Sequence, residues 1–258
     1  MTTRFLCLAA IIITIGGSIR AQTPLNHLTD EAAKMALAES ERGVSRLRAG
    51  HYDEAIAAFQ RAIQLNPDFA VARNNLGVTY NALGRHTEAI KVLTQAIRLA
   101  PDYAEAHYDL GVAYSSLGQY REAIECYQQA IRISPKFAQA YNRLGVAYND
   151  SGQREKAIRA YREALQIRPD YAEANNNLGT AQGETGHDKD AIRNFQRAIQ
   201  LRPDLAVAHY NLGVISLRAN NRQAALAQRR VLTALDSTLA DKLYRGIYQD
   251  KVLSLASK

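Results

Sequence analysis

Residues 104–137 read AEAHYDLGVAYSSLGQYREAIECYQQAIRISPKF, and the rest of the chain is built on this stretch. A shift of 34 residues lays Pro67, Pro101, Pro135, Pro169 and Pro203 on one another. Gly77, Gly111, Gly145, Gly179 and Gly213 keep the same interval, as do Ala55, Ala89, Ala123, Ala157, Ala191 and Ala225. Several residue types held in phase over so many periods mark stacked supersecondary units, each too small to bury its own apolar face.

Helical spacing occurs twice in each unit. His107, Leu110, Gly111 and Tyr114 follow the 3, 4, 7 rhythm of one helix face, and Ala123, Ile124, Tyr127, Ala130 and Ile131 follow it again. Gly118 between them suits a turn that needs positive φ, and Pro135 cannot sit inside a helix and ends the second one. The unit is a helical hairpin and the fold class is all-α. Gly111 and Ala123 leave room for the two helices to close on each other, while Ala130 leaves room for the next hairpin. Asp102 with Glu105, and Asp170 with Glu173, have the spacing of a capping box at the start of a first helix.

Leu110, Gly111, Tyr114, Ala123, Tyr127, Ala130 and Pro135 resemble the tetratricopeptide repeat in type, order and period. The resemblance implies a right-handed α-solenoid of six hairpins, at 36–69, 70–103, 104–137, 138–171, 172–205 and 206–239, with first helices lining a concave surface. Residues 240–258 form a capping helix and tail: Leu239, Leu243 and Ile247 fall on one face, with mixed charge elsewhere. Tryptophan, common in that family early on the first helix, is replaced by Arg73, His107, Tyr141, Asn175 and His209. The terminal units depart most. Arg42 and Arg46 stand for leucine and tyrosine in the first, and Asn220, Arg229 and Ser237 for glycine, an aromatic and proline in the sixth.

Residues 1–21 read as a secretory signal: Arg4 leads the apolar run Phe5–Ile15, and SIRA precedes Gln22 as a cleavage site. The chain is therefore expected to be exported, periplasmic or secreted, or else held in a membrane by an uncleaved N-terminal segment. Residues 22–35 form a linker and the start of a long first helix capped near Thr29 or Asp30. Cleavage would leave Cys126 as the sole cysteine, so no internal disulfide can form and packing must supply the stability.

The formal charge is +7, and loss of Arg4 and Arg20 with the signal leaves +5. Its placement argues against nucleic acid. The side chains expected to point inward, such as Val78, Glu105, Val112, Gln139 and Glu173, include acids but no bases, whereas Arg121, Arg132, Arg159 and Arg193 lie on second helices. The six histidines show no metal-ligand or base–nucleophile spacing on one helix, and no glycine-rich phosphate loop is present. No catalytic residue, metal or cofactor is expected.

The concave groove is the remaining candidate site. Its expected residues are Asn74, Asn75, Tyr108, Asn142, Asn176, Asn177, Tyr210 and Asn211. An asparagine amide offers a donor and an acceptor to an extended peptide backbone. Asn75, Asn177 and Asn211 are similar in placement to the asparagine ladder in the repeats of O-linked N-acetylglucosamine transferases, with Asp109 and Arg143 interrupting it. The same asparagines also fit a purely structural role. The expected function is a non-catalytic exported scaffold binding a peptide segment or partner protein; the alternative is a self-assembling envelope component with no peptide ligand.

Overall fold

The computed structural model describes residues 30–248 and 255–256. The expected signal at 1–21 and most of the linker lie outside the described residues, as does most of the tail after Tyr248. Among the described residues there are thirteen α-helices and no strand. Six hairpins follow one another: α1 (Asp30–Arg48) with α2 (Tyr52–Leu65), α3 (Ala70–Ala82) with α4 (His86–Leu99), and α5 (Ala104–Ser116) with α6 (Tyr120–Ile133). Then come α7 (Ala138–Asp150) with α8 (Arg154–Ile167), α9 (Ala172–Glu184) with α10 (Asp188–Leu201), and α11 (Ala206–Arg218) with α12 (Arg222–Leu235). A final helix, α13 (Ser237–Tyr248), lies against both α11 and α12. No described helix is long and apolar enough to cross a membrane.

Each of the first five hairpins closes on a glycine in the left-handed region. Gly118 has φ +74°; its N–H bonds Ser115 C=O at 3.1 Å, and Gln119 N–H reaches back to Tyr114 C=O at 2.9 Å. Those are the two bonds of a Schellman motif, which satisfies carbonyls left open at the end of α5. In the last hairpin Asn220 takes the place of glycine at φ +56°, a conformation asparagine tolerates better than other side chains.

The links between hairpins are β-turns with proline second. Tyr103 N–H bonds Ala100 C=O at 3.1 Å across Pro101 and Asp102, and Phe137 does the same to Ser134 across Pro135. This geometry displaces the expected capping boxes. The N-cap of α5 is Tyr103 and that of α9 is Tyr171, neither with a side-chain cap bond. Asp102 and Asp170 are spent one residue earlier, inside the turn. Glu173 instead meets Arg202 at 2.6 Å.

Packing follows the small residues. A Cβ placed on Gly111 would stand 2.7 Å from the Tyr127 ring, so the bare glycine is what lets α6 lay its aromatic against α5. Gly43 meets Phe59, Gly77 meets Leu93, Gly145 meets Tyr161 and Gly179 meets Phe195 in the same way. Tyr127, Phe59 and Phe195 are fully buried, as are Ala123 and Ala130. An aromatic ring of this kind buries roughly 150–250 Å², on the order of 4–6 kcal/mol of transfer free energy before entropy is counted.

The rod curves for a geometric reason. Successive first helices, α3 and α5 through α9 and α11, approach within 8 Å between Cα atoms, whereas successive second helices do not. Ala72, Ala106, Ala140, Ala174 and Ala208 on the first helices are fully buried. Closer spacing on that side makes each hairpin a wedge and puts the first helices on the inside of the bend.

Candidate functional site

The inner surface is a row of first helices tied by side-chain amides. Asn74 Nδ2 donates to Asp109 Oδ2, Asn177 Nδ2 to Asn142 Oδ1, and Asn211 Nδ2 to Asn176 Oδ1, each at 3.1 Å and each between residues 35 apart. One residue more than the repeat is the register of the link: an inward residue of one unit meets the following position of the next. Asp109 thus stands inside the pattern with the direction of the bond reversed: it accepts from Asn74, whereas Asn177 and Asn211 at the equivalent position donate to the preceding unit. Arg143 occupies the equivalent position between α5 and α9.

The burial that these bonds require is nearly complete. Asn74, Asn142, Asn176, Asn177 and Asn211 are all buried, and Asn75 is half-buried. An amide buried without a partner costs about 1–3 kcal/mol, so the links between units offset a penalty as well as fixing register. Tyr108 is buried too, its ring 5.0 Å from that of Phe137 and 5.8 Å from that of Tyr127. Tyr210 is buried with Val214 beside the final helix. The structure therefore places the expected groove residues on the first helices, most of them buried and engaged to neighbours.

Burial raises the Asp109 carboxyl to about 7, against the hydrogen bond from Asn74 and with Glu105 adding to the rise. At the next unit, burial pushes the Tyr171 hydroxyl up to about 12, and that hydroxyl lies 3.4 Å from Asn142 Nδ2. His107 and His209 serve the turns: Nε2 of each lies 3.0 and 2.9 Å from the carbonyls of Pro101 and Pro203, which can only accept. Among the described residues no three histidine, cysteine or acidic side chains gather as a metal site.

Asn211 makes a contact of a different kind. Its Oδ1 accepts from Ala256 N–H at 2.7 Å and its Nδ2 donates to Ala256 C=O at 2.8 Å. Leu255 lies between Gly183 and the hairpin below, touching the cluster of Ala191, Phe195, Leu212 and Ile215. The sequence gives no sign of this contact, because nothing in a helical period indicates where a C-terminal segment returns.

Family models described as tetratricopeptide repeat match residues 68–136 and 108–172, and one described as TPR repeat matches 46–84 and 184–218. The chain belongs to the tetratricopeptide repeat family. Among solved structures, this tetratricopeptide repeat chain is similar to MamA, at 30% identity over 62% of this chain and 94% of that one, with a TM-score of 0.57. It is similar in fold to PilF of Pseudomonas aeruginosa, at 16% identity over 86% of this chain and all of that one, with a TM-score of 0.75. It also shares the fold of YrrB, a protein described as having an unusual peptide-binding site, at 24% identity over 73% of this chain and 98% of that one, with a TM-score of 0.58. No curated protein sequence matches the chain. It is a tetratricopeptide repeat scaffold.

Proposed function

We propose that this scaffold is non-catalytic and exported, and that it binds an extended segment of a partner protein along its inner surface. The observation that carries the reading is Asn211, which meets a backbone N–H and C=O with its two amide atoms. An inner-face asparagine gripping main chain is the contact a peptide-binding groove needs, and it asks nothing of the ligand's side chain. Asn75, Asn177 and Tyr108 lie on the same side, beside the half-buried Val78 and Val112. The description of YrrB as a peptide-binding protein fits a shared use of the fold. Export is supported by Arg4, the run Phe5–Ile15 and the SIRA segment.

The test pairs inner and outer substitutions. Val78→Asp with Val112→Asp should abolish capture of the partner from envelope extract, while Arg159→Asp with Arg193→Asp on second helices should leave it intact. Both variants should keep their helicity. Equal capture by the inner variant would end the reading. Mass spectrometry of protein recovered from the producing cells should find an N-terminus at Gln22; an intact Met1 in a soluble cytoplasmic fraction would contradict export.

The second reading, self-assembly without a peptide ligand, has its own measurement. Light scattering over a concentration series should show a constant monomer mass for the binding scaffold, and a rising mass for the structural component.

A further inference from the structure

We infer that Asn211, Gly183 and Ile215 form a subsite for a large aliphatic residue in extended backbone, filled by the chain's own Leu255 and Ala256 until a partner segment displaces them. The inference rests on the inner surface being a peptide-binding face, and it names the segment that face takes.

Three features converge on this place. The first is the paired bond of Asn211 to both main-chain groups of Ala256. The N–H and C=O of one residue point to the same side only when the backbone is extended, so the amide selects a strand-like ligand. The second is the socket. A Cβ on Gly183 would stand 2.6 Å from Leu255 Cδ1 and 3.0 Å from Ile215 Cδ1. One, two and three units earlier the same position carries Asn149, Ser115 and Asn81. Glycine within a helix costs about 0.5–1 kcal/mol relative to alanine, and here its missing methyl is the space the leucine occupies. The third is Ile215, fully buried, where the preceding units carry Ala181, Ala147, Ala113 and Thr79. Two departures from the repeat, one smaller and one larger, meet at a single side chain of the C-terminal segment.

The chemistry of the ligand follows. It carries a leucine-sized aliphatic side chain, and the next residue keeps its N–H, which excludes proline there. Six residues separate Tyr248 from Leu255. A tether that short gives an effective concentration of about a millimolar, so a segment of equal intrinsic affinity arriving at micromolar concentration is held off. The tail lowers the apparent affinity of the subsite for any partner by roughly tenfold when it is bound nine-tenths of the time.

The probe is a fluorescein-labelled peptide of residues 249–258, QDKVLSLASK, followed by fluorescence anisotropy on the full chain. Leu255→Asp, and separately Ala256→Pro, release the tail and should bind the peptide at least tenfold more tightly than the unaltered chain. Gly183→Ala added to Leu255→Asp fills the socket and should abolish binding, as should aspartate for the second leucine of the peptide. Circular dichroism identifies any variant that has lost its helices; Ala256→Pro adds no charge and releases the tail through loss of the Ala256 N–H bond to Asn211, should Leu255→Asp disturb the end of the rod. Equal binding by the unaltered and tail-released chains, binding by the filled socket, or no binding by either folded tail-released chain would each overturn the inference. If partner capture still depends on Val78 and Val112 in that case, the groove stands and only the C-terminal subsite falls.

Discussion

Leu243 of α13 lies over Gly213 of α11, with a Cβ on that glycine only 2.5 Å from Leu243 Cδ2. In the five preceding hairpins the equivalent place is taken by Phe59, Leu93, Tyr127, Tyr161 and Phe195 of the hairpin's own second helix. The sixth second helix has Arg229 there, and its guanidinium lies instead 4.8 Å from the Tyr244 ring. The final helix thus completes the last hairpin's core as well as covering it. Asp236 sets its start, accepting Leu239 N–H at 3.0 Å.

Leu243→Ala should accordingly cost about 2–5 kcal/mol, the range for a fully buried leucine. Hydrogen exchange should show α12 and α13 losing protection while α5 and α6 keep theirs, since each hairpin depends on its neighbours alone. A loss below about 0.5 kcal/mol, within the range of ordinary surface changes, or an even loss of protection along the rod, would contradict the role given to Leu243.

The inter-unit amides predict coupling. Asn176→Ala and Asn211→Ala should each destabilise the chain by about 1–2 kcal/mol, and the double variant by less than their sum. Urea melts of the four proteins would measure the difference. Strict additivity would mean that the 3.1 Å bond between them carries no energy.

How far the sequence reaches can be judged from these residues. The period of 34 located the hairpins because proline and glycine act locally, at Pro101 in a turn and at Gly118 in a positive-φ cap. The apolar face of α13 was legible for the same reason: Leu243 and Ile247 share a helix stripe, and both are buried. The capping boxes were misplaced because the Pro-Asp turn uses one more residue than the local pattern suggests. The asparagine links run between residues 35 apart, one more than the repeat, and only the tilt between hairpins reveals that offset. The return of Leu255 to Gly183 leaves no periodic trace at all.

Asp109 gives a pH signature. Its carboxyl is raised to about 7, first by burial, so between about pH 4 and pH 7 the folded chain holds a proton that the unfolded chain has released. Its contribution is greatest below about pH 4, falls as pH rises to 7 and is level above. Asp109→Asn keeps an acceptor for Asn74 and removes the titration. The variant's advantage in melting temperature should therefore grow from pH 4 to pH 7.5, to the equivalent of a few kcal/mol at order of magnitude. A constant difference across that range would contradict it.

Cys126 should be inert. Burial pushes its thiol up to about 12, with Glu125 and Glu122 adding to the rise. At pH 8 its thiolate fraction falls roughly a thousandfold below that of a free cysteine. Ellman's reagent should react with the folded chain on that slower scale and promptly after denaturation; fast reaction of the folded chain would contradict the burial.

The working surface can be located directly by placing a photo-crosslinking phenylalanine analogue at Val112 on α5 or at Arg159 on α8 and irradiating the chain with its captured partner. Crosslinks from Val112 and none from Arg159 are expected if the inside of the curve holds the partner; crosslinks confined to Arg159 would place binding on the outer helices and contradict the account.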